Sequence, residues 1–266
     1  MEPHVIEMFS YEWFYMNVAC LIALVAFLFL CFLILKSDFI KKNNLESKFT
    51  QFLGALILLR LFVSQAYQIN QGLWDPNHSL SLHLCGISSI LAGICLIRYD
   101  QTVYEFLILL GGPGALWSFL TPQMNMYDHA VSGSAMLFTN PGFLYFDYFI
   151  SHTLILFAPL YLTFLLGKKP RAHSYLKIFY KINFLVIPFV YVVNLIVKSL
   201  SIKAGDVNYM YLMYAPKADN PFIIDAWPWY IGVMEIVAFA HMVVIYLMFV
   251  SVRKIKSKIN IKEKLV

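Results

Sequence analysis

A thiol and an imidazole are the side chains most readily paired as nucleophile and base, and in this 266-residue chain they meet in "SLHLCGISS", Ser81 to Ser89, as His83 and Cys85. The thiolate is the reactive form; a neighbouring base, or the free amides of a helix's first turn, favours it. Residues two apart on a helix point about 200° away from each other, so His83 cannot deprotonate Cys85 if both are helical. The base must come from another segment, and His152, in "FISHTLI", is the candidate. Attack on an ester also needs a stabiliser for the oxyanion, from Arg60 or from the amides that open the Cys85 helix. Glu235 or Asp147 is available to orient the histidine, while an Arg60 to Glu235 ion pair between helices is the structural alternative. None of the four cysteines lies in a CxxC motif, which argues against a disulfide framework and a zinc site; no metal and no cofactor is expected.

The elements that hold these residues are hydrophobic. The chain is 60% hydrophobic and 13% charged, with mean hydropathy +0.68, a balance that fits an integral membrane protein. Apolar runs recur at roughly 12 to 36, 50 to 70, 80 to 97, 103 to 121, 143 to 167, 175 to 200 and 228 to 251, each about long enough to cross the hydrocarbon core. They lack the alternation of barrel strands, so the expected fold is all-α: one domain, 1–266, of seven transmembrane helices. The first run is too long for a signal peptide and no small-residue cleavage site follows it. Lys36, Lys41, Lys42, Lys48, Arg98, Lys168, Lys169, Arg171 and the basic tail from Arg253 to Lys264 all fall on one side. The other side carries little beyond Lys203 and Lys217, so the N-terminus is expected outside and the C-terminus in the cytoplasm. The net charge of +5 reads as this topology signal plus attraction to anionic lipid; membrane lipids are the expected partners and nucleic acid is not.

Ionisable groups in a bilayer are costly, so their placement carries information. Arg60, Ser64 and Gln68 recur every four residues, with Gln65 beside them; Tyr191, Asn194 and Lys198 form a second stripe; Asp147 and Ser151 accompany His152. Counted from the topology, Cys85, His152, Asn194 and Glu235 all fall in the outer half, which predicts one polar cavity opening outward. The outer loop "NYMYLMYAP" places Asn208 and Tyr209 as candidates for substrate contact, in a lid or lipid-entry surface. Trp227, Trp229 and Tyr230 suit an aromatic belt at the headgroups, and the "GGPG" run at Gly111 is expected to break or kink the fourth span.

Several segments together resemble the YwaF-type bacterial integral membrane proteins, whose eukaryotic relatives include a multi-span TMEM-type phospholipid acyltransferase. The resemblance rests on "LSLHLCGIS", "GGPGALWSFLTP", "NPGFLYFDYFISHTLILFAPLYL" and "GDVNYMYLMYAPKADNPFIIDAWPWY" and covers roughly Arg60 to Tyr230, with Ser81 where that pattern carries a proline. It implies a multi-pass protein of the bacterial cell membrane, with an acyl group carried on Cys85 and a required histidine at His152. The expected function is therefore an acyl-lipid enzyme, an acyltransferase or hydrolase; a transporter or ligand-binding membrane protein without catalysis is the alternative.

Overall fold

The computed structural model describes residues 4–124, 140–200, 206–216, 223–224 and 226–263. Lys203, Lys217 and Lys264, on which part of the orientation argument rests, lie outside the described residues. The architecture is helical: α1 (Tyr11–Lys36), α2 (Asp38–Lys42), α3 (Glu46–Asn70), α4 (Leu84–Ile97), α5 (Gln101–Phe106), α6 (Gly112–Leu120), α7 (Asn140–Phe164), α8 (Ser174–Lys181), α9 (Ile187–Leu200) and α10 (Trp229–Glu263). Starts are set by local chemistry. Ser10 accepts the Trp13 N–H at 3.2 Å to open α1, and Asp100 Oδ1 accepts the N–H groups of Thr102 and Val103 at 2.8 and 2.9 Å to open α5.

α5 runs into α6 through a π-helical turn, Leu107–Gly111, and α8 into α9 through another, Ile182–Val186. Each turn ends just ahead of a proline, Pro113 and Pro188. A proline has no N–H to donate and crowds the carbonyl one turn back, and the wider turn relieves both problems without ending the helix. The "GGPG" run thus widens its helix rather than breaking it.

Among the described residues six helical segments are long and apolar enough to cross a membrane: Tyr11–Lys36, Glu46–Asn70, Gln101–Leu120, Gly142–Phe164, Ser174–Leu200 and Trp229–Ile255. The third predicted run differs. Its helix, α4, has 14 residues, about 21 Å of rise, because the chain from Leu80 to Leu82 is a turn and His83 is extended (φ −67°, ψ 155°) as the residue preceding the helix. α4 packs between α3 and α7. It crosses α3 closely: a Cβ on Gly54 would stand 2.6 Å from the Gly93 carbonyl oxygen, so only small residues permit this approach.

Gln101–Leu120 is the central helix, with 67% of its most apolar window buried against 6% for Trp229–Ile255. Tyr104, Leu107, Leu109, Phe157 and Tyr161 fill the core around it. Outward-facing Leu21, Ile22, Val25 and Phe29 on α1 and Leu247 and Met248 on α10 are exposed, the arrangement a lipid environment favours. One end of the bundle is tied by Glu105, fully buried, whose carboxylate receives Arg171 N, Nε and Nη2 at 2.7, 2.9 and 2.7 Å and Gln101 Nε2 at 2.9 Å. Those hydrogen bonds hold the Arg171 guanidinium above its usual pKa range. At the other end β1 (His4–Val5) pairs antiparallel with β2 (Gln123–Met124), His4 opposite Met124.

Candidate functional site

α4 begins in a cavity. Leu84, Cys85 and Gly86 are its first three residues, and the His83 side chain makes no capping bond, so their amides retain free donor capacity at the positive end of a helix. The chain folds back tightly there: a Cβ on Gly86 would lie 2.8 Å from the Ser81 carbonyl carbon. Cys85 Sγ stands 3.4 Å from Ser118 Oγ of α6, and the His152 side chain of α7 lines the same cavity within electrostatic reach of the thiol.

His152 is 6% exposed and held on several sides. Its Nδ1 lies 2.7 Å from the Tyr148 carbonyl oxygen, one turn earlier on α7. A carbonyl only accepts, so Nδ1 carries a proton, and the tautomer this selects has its lone pair on Nε2. The Tyr148 ring lies 4.2 Å from the imidazole between centroids and its hydroxyl donates to the Ser118 carbonyl at 2.8 Å, while Phe119 meets the imidazole edge-on at 6.2 Å. Neither Glu235 nor Asp147 orients the histidine; a backbone carbonyl on its own helix does.

The cavity has a volume of about 540 Å³ and is lined by Cys85, His152, Arg60, Ser64, Asp147 and Ser151, among others. Arg60 spends most of its donors on α7: Nε to Asp147 Oδ1 at 2.7 Å, Nη1 to Ser151 Oγ at 2.9 Å and Nη2 to the Asp147 carbonyl at 3.1 Å, with Nη2 also ion-paired to Asp147 Oδ2. Ser64 Oγ donates to the same carboxylate at 2.8 Å. The expected Arg60 to Glu235 pair is thereby corrected: Asp147 is the partner. α7 starts at Asn140, three residues before the predicted span, so Asp147 lies two turns inside the helix, level with Arg60, rather than at the water-facing edge. Glu235 instead lines a separate apolar crevice with Phe179, Gly232, Ile236 and Phe239 and meets the Asn183 side chain.

The single outward cavity predicted from depth also needs correction. Asn194 is fully buried but clamps the loop backbone: Nδ2 donates to the Tyr209 carbonyl at 3.0 Å and Oδ1 accepts the Tyr209 N–H at 2.9 Å. Tyr191 and Lys198, on the same stripe, are exposed on the outside of the bundle. Tyr209 donates its hydroxyl to the Pro76 carbonyl at 2.6 Å and accepts the Leu80 N–H at 3.1 Å. Asn208 folds its own turn, accepting the N–H groups of Met213 and Tyr214 at 2.9 and 3.3 Å and donating to the Tyr214 carbonyl at 2.8 Å. These three expected site residues are scaffold. What they hold over the cavity is Met210 and Tyr211, both in the left-handed region at φ 56° and 55°, a conformation that costs a non-glycine residue about 1–2 kcal/mol. His83 lines the cavity as well, its ring 5.1 Å from that of Tyr211. Burial pushes the phenols of Tyr211 and Tyr214 above their ordinary range, so both remain protonated at neutral pH.

A protein-family model, the TMEM164 family, matches residues 8–246, nearly the whole chain and every element that lines the cavity. The chain belongs to the TMEM164 family. No curated protein and no solved structure matches it.

Several cavity residues of this TMEM164-family chain carry no early signal in sequence. Ser118 and Tyr148 are ordinary in an apolar helix and matter only through what they touch. His241 could have been found by the rule that flagged Glu235, since it too is an ionisable residue inside an apolar run; its Nδ1 lies 2.6 Å from the Val237 carbonyl and its Nε2 accepts from Trp117 Nε1 at 3.3 Å. Among the described residues no group of three or more His, Cys, Asp or Glu stands together as a metal site. The arrangement is a thiol beside an imidazole with a free lone pair, at a helix N-terminus, in a cavity polar along α3 and α7 and apolar where Trp117, Met234, Val237 and Ala238 line it.

Proposed function

We propose that this TMEM164-family protein is a membrane-embedded acyl-lipid enzyme, an acyltransferase or hydrolase, with Cys85 as nucleophile and His152 as base. The observation that carries the reading is that the two side chains line one cavity, the imidazole within electrostatic reach of the thiol and its tautomer set by the Tyr148 carbonyl. His152 Nε2 takes the thiol proton as Sγ attacks an ester carbonyl. The carbonyl oxygen gains negative charge within reach of the amides of the first turn of α4. The carbon–oxygen bond then breaks, the alkoxide leaves with the proton from His152, and a thioester remains on Cys85. A lipid hydroxyl or water gives its proton to His152, attacks the thioester, and restores the thiol.

The reading includes a bilayer geometry: seven crossings, the N-terminus outside, the C-terminus cytoplasmic, in a bacterial cell membrane. Arg171, the Pro170 carbonyl bonded by Arg253, and Lys168, whose ammonium sits 4.3 Å over the Tyr99 ring, gather at the end away from the cavity, which supports that orientation. Set with Ile97 at the cytoplasmic interface, α4 stops about 9 Å short of the opposite hydrocarbon edge. Cys85 is then sunk to the level of acyl chains near their ester groups, and the irregular backbone before it is tolerated because it lines a cavity. The likeness to YwaF-type proteins and their acyltransferase relative supports the same substrate class.

The test is adduct trapping. Membranes holding the protein are incubated with an alkyne-tagged acyl phospholipid, and peptides are read by mass spectrometry. A hydroxylamine-labile acyl group on Cys85, absent in Cys85→Ala, is expected; label spread equally over Cys20, Cys31, Cys85 and Cys95, or none on Cys85, overturns the reading.

A further inference from the structure

An ester carbonyl under attack needs a donor that the protein has not already used. Around the mouth of the cavity most hydroxyls are used. Tyr148 donates to the Ser118 carbonyl at 2.8 Å, Tyr209 to Pro76 at 2.6 Å, Tyr230 to Tyr211 at 2.7 Å and Tyr214 to Asp206 at 3.4 Å. The Arg60 guanidinium is committed to Asp147 and Ser151. Among these phenols the Tyr211 hydroxyl is the exception: it has no hydrogen-bond partner among the described residues, and Tyr211 lines the cavity alongside Cys85, whereas Ser89 Oγ, also unpartnered at the cavity, is buried on α4.

The fold spends a good deal on holding it there. Tyr211 sits in the left-handed region next to Met210, which does the same. Its carbonyl is pinned by Tyr230, its neighbour Tyr209 is clamped by Asn194, and its ring rests against His83, two residues from the thiol. Two adjacent left-handed non-glycine residues at a cavity are the kind of outlier that persists when surrounding contacts over-determine it, and these contacts do. Tyr211 is within electrostatic reach of both the Cys85 thiol and the Tyr148 hydroxyl, and burial keeps its phenol in the donor form.

We infer that Tyr211 is a further catalytic residue: its unpartnered hydroxyl, held at the cavity mouth by a strained turn, donates a hydrogen bond to the substrate's acyl oxygen while Cys85 is acylated. The inference rests on the acyl-enzyme reading above. Tyr211 keeps its proton throughout. The bond formed is Sγ–C, the bond broken is between the acyl carbon and the leaving oxygen, and the proton that leaves with the alcohol is the one His152 took from the thiol. With the α4 amides, the phenol completes a pair of donors around one oxygen, one from the helix and one from the loop.

The test uses the full chain in lipid nanodiscs. p-Nitrophenyl palmitate reports acylation of Cys85 as a burst of nitrophenolate, and iodoacetamide reports thiolate reactivity by a displacement that forms no oxyanion. Removing a hydroxyl with no protein partner costs the fold no hydrogen bond, so Tyr211→Phe is a fair variant. Its burst is expected to slow about 10²- to 10³-fold, in the range for one oxyanion donor, with the iodoacetamide rate at Cys85 unchanged. A palmitoyl trifluoromethyl ketone, which forms a charged adduct with the thiol, should lose affinity in the same variant. An unchanged burst overturns the assignment, and so does a parallel fall in burst and alkylation, which marks a residue that only shapes the site. A wild-type protein that is alkylated at Cys85 yet gives no burst overturns the acyl-enzyme reading itself, and the assignment with it.

Discussion

Arg60 with Asp147 and Arg171 with Glu105 are guanidinium–carboxylate pairs at opposite ends of one bundle, and they differ in what is left over after pairing. Glu105 is fully buried and receives four donors from Arg171 and Gln101, while the Arg171 side chain is 48% exposed; the carboxylate has nothing further to offer. Arg60 and Asp147 are 18% and 15% exposed, and both line the cavity. The first pair closes a loop onto the central helix. The second fixes α3 against α7, one helical turn before Ser151 and His152, and keeps polar surface turned toward whatever enters. A buried ion pair is therefore read by its unused valences: saturated, it is a staple; partly open, it belongs to a site.

The largest expected effect separates chemistry from fold. His152→Ala should slow acylation of Cys85 about 10²- to 10⁴-fold, the span for a general base, with little change in melting temperature; a burst within threefold of wild type breaks the division between the two ends. Arg171→Ala should do the reverse. It strands a buried carboxylate and should cost about 3 kcal/mol, the low end for a buried pair because the guanidinium is half in solvent, without altering iodoacetamide labelling of Cys85 in the folded fraction. Chemical denaturation in mixed micelles measures the first and peptide mass spectrometry the second.

Asp147→Ala leaves Arg60 charged within the bilayer and should cost about 2.5–3.5 kcal/mol, whereas the double variant Arg60→Met with Asp147→Ala should recover most of that stability. Additive losses in the double-mutant cycle would show that the two residues are not partners. A smaller effect is expected from Asn194→Ala, which removes two hydrogen bonds to the Tyr209 backbone and should cost about 1–3 kcal/mol. It should also speed proteolysis within Asp206 to Pro216 and slow acylation only through the misplaced loop. A loop as resistant to protease as wild type would remove Asn194 from the scaffold.

The site was partly legible for definite reasons. Arg60, Asp147, Ser151 and His152 stood out because polar residues at helical spacing in an apolar run are expensive, and the cost identifies them without any knowledge of the fold. Their partners were not legible, since pairing depends on which helices adjoin: α7 lies against α3, while α10 meets α8, and Glu235 went with its helix to Asn183. Depth counted along each span failed for Asn194 because two residues at one level of a bilayer can still point to different sides of the bundle. The short α4 was missed because a run of apolar residues from Leu80 reads as helix, whereas the turn is formed by contacts from elsewhere, such as the Tyr209 hydroxyl on the Leu80 N–H.

From its own residues the sequence determined that this chain is helical and embedded in lipid, since about 20 apolar residues without a polar partner have no other stable state in a bilayer. It also determined which polar residues required an explanation. Only the tertiary structure decided the rest: that the His152 proton sits on Nδ1, that Asp147 rather than Glu235 neutralises Arg60, and that of the loop tyrosines Tyr209 is a strut while Tyr211 lines the cavity that holds the thiol. Hydropathy is summed along the chain and survives any arrangement of helices. A hydrogen bond is a relation between two atoms whose separation the chain order does not specify.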